Sequence, residues 1–321
     1  VLVDVGDSLY LRPESGVSTA DASRARLIME AMGSMGYSAM AVGERDLGRG
    51  VDELKKLGDE FHVTLLAANL IDDNGQHPFG ATTVVQTAKG PVGIFAVSRM
   101  PSAIAKPGSL SLLEVHTPPP PPSQPSPDGK PLYPLRNEDP IEAARQAVSQ
   151  LRSQKVVAVI ALLHLPILEA QELTAQVSGI DVAMVAHDGR AGALRARPPT
   201  YGTGQKGREI LKVGFEVGDG PISDASEQTD ALNEVKVIDN TFHTYEERAK
   251  AAKPEVRQQI ESQLEGLRKR REEALAKATR KPDGRLAQNQ SLPLDEKVPS
   301  DSTWQAKVAE EVARDGRTPG H

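Results

Sequence analysis

Met-Ala-Val-Gly-Glu-Arg-Asp-Leu-Gly-Arg-Gly, residues 40–50, reads as an apolar strand that runs straight into a glycine and three charged side chains. In open α/β folds ligands sit beyond the carboxyl ends of strands, so charges placed there are better site candidates than charges on a helix face. The same grammar recurs along the chain. Val-Leu-Val-Asp-Val (1–5) ends in Gly6-Asp7, the apolar run 156–163 ends in His164, and Ile-Asp-Val-Ala-Met-Val-Ala (180–186) ends in His187-Asp188. Strand ends thus offer Asp7, Glu44, Arg45, Asp46, His164 and His187 as candidate site residues.

Working outward, helical spacing of Leu27, Ile28, Ala31, Met32 and Met35 predicts a helix over 18–37, closed by Gly36. Strands are expected over 38–42 and 63–68, the latter ending at Asn69, with a short helix over 51–57 between them. Strand alternating with helix means parallel pairing. Residues 82–87 and 92–97 read as an antiparallel hairpin that makes the sheet mixed. Asp139-Pro140 opens a helix to about residue 153, with proline at the first helical position. A helix over 166–177 separates the two later buried strands, and alternating strands are expected over 210–217 and 233–238.

Two segments stand apart in composition. Residues 100–137 are rich in proline, serine and glycine, and Pro118–Pro122 is expected to form a stiff polyproline II stretch, either a solvated insert or a ligand for an aromatic groove. Residues 246–281 carry seven acidic and eleven basic side chains around a thin line of Val256, Ile260, Leu264, Leu267 and Leu275. That pattern predicts a long charged helix whose narrow seam docks on a protein partner or on a second copy. Pro254 marks a kink or the true start, 282–302 reads as polar loop, and 303–314 as a short amphipathic helix anchored by Trp304.

At 321 residues with 38% hydrophobic composition the chain can build a substantial core. A net charge of −6 gives no basic surplus for phosphate backbones, which argues against nucleic acid as the main partner. The absence of cysteine removes disulfides, thiolate metal sites and cysteine nucleophiles. No run approaches the ~18 apolar residues of a membrane span. The sequence opens at Val1 inside what reads as a buried strand, as a trimmed or processed piece would.

Mixed carboxylate and imidazole donors at strand ends suit one or two divalent metals. In context they resemble the calcineurin-like metallophosphoesterases, most closely the 5′-nucleotidase branch. The matching pieces are Val-Asp-Val-Gly-Asp (3–7), Gly-Tyr-Ser-Ala-Met-Ala-Val-Gly (36–43), Ala-Ala-Asn-Leu (67–70), Leu-Leu-His (162–164), Gly-Ile-Asp-Val-Ala-Met-Val-Ala-His (179–187) and the glycine-rich stretch 201–211. The resemblance implies an α/β fold, a four-layer α-β-β-α sandwich of mixed sheets, followed by the charged helix. It divides the chain into a phosphoesterase-like domain over 1–240 with a Pro-rich insert, the helix over 241–281 and a polar tail over 282–321. It also places the family's first strand, with its Asp-x-His ligands, before Val1.

Carried over by position, the resemblance makes Asp7, Glu44, His164 and His187 metal ligands for zinc or manganese, and Asn69 and Arg45 substrate contacts. Arg45 and Asp46 stand where the family has its catalytic His-Glu pair. Here the departures weigh as much as the matches. The family's Gly-Asn-His-Glu is Gly43-Glu44-Arg45-Asp46, and its Gly-His-x-His ending has lost the second histidine. A guanidinium about 6 Å from a divalent ion is repelled by roughly 5 kcal/mol at an effective dielectric of about 20, and it gives up no proton at neutral pH. Gly43-Glu44-Arg45-Asp46-Leu47 is also similar to a Gly-x-x-Asp-Leu turn of exported 5′-nucleotidase-like proteins found beside multihaem cytochromes. The implied reading is an extracytoplasmic, degenerate phosphoesterase-fold protein, in the periplasm or at the cell surface, that binds a partner. The alternative is a working phosphomonoesterase or nucleotidase rebuilt on Glu44, with phosphate or nucleotide as ligand. Plain structural roles stay open beside these: core-edge histidines at 164 and 187, a turn cap at Asp7, and an Arg45–Asp46 ion pair.

Overall fold

The computed structural model describes residues 1–11, 16–101, 135–187, 189, 191–194, 196–204, 207–280 and 284–314. The proline run 118–122 lies outside them. The chain divides into two units, Val1–Lys212 with Ser291–His321, and Val213–Gln290.

In the first unit β1 (Val3–Asp4), α1 (Thr19–Met35), β2 (Ala39–Ala41), α2 (Val51–Phe61) and β3 (Leu65–Leu66) follow in order. Ser18 and Asp21 cap α1 reciprocally, and Gly36 ends it in the left-handed conformation at φ 78°, which a side chain would strain. The three strands form a parallel sheet in the order β1-β2-β3, with Val3 opposite Ala39 and Met40 opposite Leu65. Next come β4 (Leu70–Ile71), β5 (Thr82–Thr87), β6 (Gly90–Ser98), β7 (Arg136–Asn137), α3 (Pro140–Ser153), β8 (Ala158–His164), α4 (Ile167–Gln176), β9 (Val182–Ala186), β10 (Ala191–Ala193) and β11 (Thr200–Thr203). β4 pairs with β7, and the others build a mixed six-stranded sheet, β10-β11-β9-β8-β6-β5, with parallel pairs at its centre and antiparallel pairs at both edges.

Alternation along the strands decides the layers. Phe95 and Val97 of β6, Val159, Ala161 and Leu163 of β8 and Ala183 and Val185 of β9 pack with Ala144, Val148 and Leu151 of α3 and Leu173 of α4. Their neighbours Ile94, Ala96 and Leu162 are equally buried and point the other way, to the three-stranded sheet. That sheet sends Met40 and Val42 to Met29, Met32, Leu54 and Leu57 of α1 and α2. Each large apolar side chain buried in these layers contributes about 1.5–3 kcal/mol. The result is the α-β-β-α sandwich of mixed sheets expected from the sequence.

The second unit departs from expectation. β12 (Glu209–Phe215) leads to β13 (Ile222–Asp224), then α5 (Ser226–Ala251), α6 (Pro254–Thr279) and β14 (Arg285–Pro293), with sheet order β12-β14-β13. The strand expected over 233–238 is a helix instead. Ala231, Val235 and Ile238 are buried at helical spacing while Val237 is exposed, so the short alternation Val-Lys-Val was one turn of an amphipathic helix. The charged helix is α6, starting at Pro254. Of its seam, Ile260 and Leu264 are buried while Val256 and Leu275 are exposed, and α6 packs along α5 as an antiparallel hairpin fastened by Arg270–Glu234 and Arg271–Asp239 ion pairs. The middle of the seam is therefore covered from within the chain and its two ends are open. Residues 285–293, read as loop, form β14 through backbone pairing despite polar side chains. In the first unit α7 (Ser302–Arg314) begins on an Asp301 cap, with Lys307 over the Trp304 ring and paired to Glu30 of α1.

What holds the site region is a single carboxylate. Asp46, 1% exposed, accepts main-chain N–H bonds from Asp7 (2.8 Å), Ser8 (2.9 Å), Leu9 (3.1 Å) and Gly43 (2.8 Å). It ties the loop after β1 to the loop after β2. The two loops touch so closely that a Cβ on Gly43 would lie 2.3 Å from Asp7 Oδ1, and one on Gly6 would lie 2.8 Å from Gly43 N. Asp46→Asn turns one acceptor into a donor facing N–H groups and is expected to lower the unfolding free energy by about 1–3 kcal/mol, measured in urea. Asp73→Asn, on a side chain 84% exposed, is the control and should shift it by about 0.5 kcal/mol or less. Equal effects of the two substitutions would contradict the clamp.

Candidate metal centre

Three strand ends from two sheets meet at one point. Asp7 follows β1 with φ 63°, Glu44 is the first residue of the 3-10 turn Glu44–Leu47 after β2, and His164 is the last residue of β8. One ligand atom from each lies within 4.8 Å of the other two. His164 Nε2 is 2.8 Å from Glu44 Oε2 and 3.5 Å from Asp7 Oδ2. His164 Nδ1 lies 2.8 Å from the Val5 carbonyl oxygen, which only accepts, so Nδ1 carries the proton and Nε2 faces the carboxylates.

The groups shape each other's charge. Burial pulls the fully enclosed His164 imidazole down, but hydrogen bonds and charge from Asp7 and Glu44 outweigh it and hold its pKa well above the ordinary value. For Asp7 burial pushes up, and the hydrogen bond and charge of His164, with the Arg45 N–H and guanidinium, bring it below the usual carboxylate range. Burial, then the charges of Asp7 and Asp4, push the Asp46 carboxyl up, opposed by the N–H groups of Gly43 and Asp7. With four N–H donors around it, the carboxylate is the form this loop is built to hold.

Arg45 donates its main-chain N–H to Asp7 Oδ1 at 2.8 Å, and its Nε lies 3.5 Å from Asp7 Oδ2. It pairs with Asp7, not with Asp46. His187, the fourth ligand implied by resemblance, is outside the three-residue group; its ring centroid stands 5.5 Å from that of His164 at an interplanar angle of 67°, on a backbone with φ 135°. Asn69 is buried against Ser98. Its amide donates to the Ser98 carbonyl (2.8 Å) and accepts from the Ser98 N–H (2.9 Å), clamping the end of β6. Asp46, given a catalytic place by resemblance, is likewise committed to the main chain. Asp4 and Ser8 went unnoticed in the sequence: the Ser8 hydroxyl and the Gly6 N–H both donate to the Asp4 carboxylate and fix the turn that presents Asp7. The signal was there, a charged residue inside an otherwise apolar strand.

Two carboxylate oxygens and one imidazole Nε2, with Nδ1–H held by a carbonyl, suit a divalent ion of the zinc or manganese type. Asp7 and Glu44 side chains are 17% and 14% exposed, so an ion can reach them from solvent. The opposing feature is the Arg45 guanidinium beside Asp7, half-exposed and able to move.

No protein-family model matches the chain, and no curated protein matches it in sequence. Among solved structures, the sulfate thiohydrolase SoxB of Thermus thermophilus in complex with glycerol is similar at a TM-score of 0.52 and 16% identity, over 68% of this chain and 36% of SoxB. A 5′-nucleotidase precursor from Thermus thermophilus matches at 0.47 and 18% over 68% of this chain and 43% of its own. The calcineurin-like phosphoesterase YfkN from Bacillus subtilis matches at 0.48 and 16% over 69% and 73%. This chain spans about a third of the length of SoxB. At such identities the likeness is one of fold alone, shared with SoxB over about two thirds of this chain.

Proposed function

We propose that this chain is a divalent-metal-binding domain on the metallophosphoesterase fold, adapted to bind a phosphate-type ligand and a protein partner outside the cytoplasm, with ester turnover lost or weak. The observation that carries the reading is the meeting of Asp7, Glu44 and His164 at one point, with Arg45 on Asp7 where the resemblance has a proton-donating histidine.

His164 offers the Nε2 lone pair, its ring fixed by the Val5 carbonyl; Asp7 and Glu44 offer one oxygen each. A bound divalent ion supplies positive charge to polarise a phosphoryl oxygen and acidify a water. Turnover also needs a proton for the leaving oxygen, and Arg45 keeps its own at neutral pH. Asp46 and Asn69 are occupied by main-chain groups. Binding is better provided for than catalysis.

The partner-binding half is supported by exposed apolar side chains of the second unit's helices, Leu232 and Val237 of α5 and Val256 at the open end of the α6 seam, whose middle is taken by α5. Export is supported by the resemblance to exported nucleotidase-like proteins. Among the described residues no helix is long and apolar enough to cross a membrane.

Protein purified without chelator and dialysed against manganese or zinc should hold one equivalent of metal by elemental analysis. Glu44→Gln and His164→Ala should each weaken that binding at least tenfold in titration calorimetry. Two equivalents, or none, would overturn the reading.

Glu44 Oε2, 2.8 Å from His164 Nε2, favours a second reading in which this carboxylate replaces an amide ligand in a working phosphomonoesterase. Release of phosphate from AMP or nitrophenyl phosphate with manganese separates the two. The first reading expects none, or release barely above background. The second expects release that Asp7→Asn abolishes, and it fails if the activity survives that substitution.

A further inference from the structure

We propose that Arg45 is an anion clamp released by the cation: it holds Asp7 while the ligand position is without metal, and turns to a phosphoryl group once a divalent ion takes Asp7. The inference rests on the metal-binding reading above and deepens it by assigning the ligand's anchor and the order of binding.

The argument begins with one oxygen that has too many claimants. Asp7 Oδ2 is 3.5 Å from Arg45 Nε and 3.5 Å from His164 Nε2, and Asp7 also belongs to the three-residue ligand group. A cation at the usual metal–oxygen distance of about 2.0–2.2 Å from Oδ2 would sit within about 6 Å of the guanidinium. The two like charges repel there, and with the Asp7 and Glu44 side chains only 17% and 14% exposed, water screens them little. The backbone need not follow. The Arg45 N–H stays on Asp7 Oδ1 at 2.8 Å, so only the side chain leaves.

That side chain is equipped to go elsewhere. It is 48% exposed, and among the described residues its guanidinium has Asp7 as its one ion-pair partner, Nε standing 3.5 Å from Oδ2, and the two terminal nitrogens make no hydrogen bond. A planar fork with two free donors matches two oxygens of a tetrahedral oxyanion. Charge points the same way. A divalent ion that takes Asp7 and Glu44 deprives Arg45 of its ion-pair partner and leaves its guanidinium at a half-open site. Phosphate monoesters and free phosphate share the required chemistry, a phosphoryl group with at least two free oxygens.

Calorimetry on the full chain tests this with manganese, inorganic phosphate and AMP, using wild type, Arg45→Ala and Arg45→Lys. Arg45→Ala should bind manganese at least as tightly as wild type, because a competitor for Asp7 is gone. Manganese-loaded wild type should bind phosphate at least tenfold more tightly than either the metal-free protein or manganese-loaded Arg45→Ala, with Arg45→Lys between. Tighter AMP than phosphate identifies a nucleotide as the ligand, and equal affinities identify the phosphoryl group alone; both support the clamp. Phosphate binding that ignores manganese or the loss of Arg45, or manganese binding weakened by Arg45→Ala, overturns the clamp while the metal site stands. If wild type binds no manganese, the metal-binding reading fails and takes the clamp with it.

Discussion

A single buried carboxylate governs the working end of this fold. Asp46 gathers four main-chain N–H groups from two loops that follow different strands, and those loops carry Asp7 and Glu44. Such bonds to an ionised acceptor are the strong kind, and their donors would otherwise be buried without partners. The clamp explains why Asp7 can sit at a positive φ that an aspartate adopts reluctantly. It also explains the contact between Gly6 and Gly43, positions where any side chain would collide with the neighbouring loop. The strain at Asp7 is maintained because the surroundings over-determine it.

The charges above that clamp form a compact arithmetic of their own. Asp7 and Glu44 face one guanidinium and the His164 ring, which they hold toward its charged form, so opposite charges meet in pairs. Position and charge pull in different directions here. The strand ends bring Asp7, Glu44 and His164 together as a possible ligand group, while the Arg45 guanidinium sits beside Asp7.

How much of this was legible in the sequence varied with the physical origin of each feature. The apolar runs at 156–163 and 180–186 and the capping of α1 and α3 are local, and β8, β9 and both helices followed from them. Asp7, Glu44 and His164 were legible as candidates because strand-end polar residues are conspicuous against a buried background. Their partners were not, since hydrogen bonding across 159 residues, as between His164 and Val5, leaves no mark in local pattern. Asn69 and Asp46 were legible only as polar residues at strand ends; their bonds to Ser98 and to the main chain of two loops depend on distant segments and leave no local pattern. Val235 to Ile238 shows another limit, because four residues cannot separate a period of 2 from one of 3.6.

The bond from His164 to the Val5 carbonyl has a mechanical consequence. Val5, Asp7 and Glu44 hang from the three-stranded sheet and His164 from the six-stranded one, so the cluster straddles the seam between two separately packed cores. It works as a fastener across the middle of the sandwich. Anything that binds there engages both sheets at once, so its binding free energy adds to the stability of the sandwich as a whole.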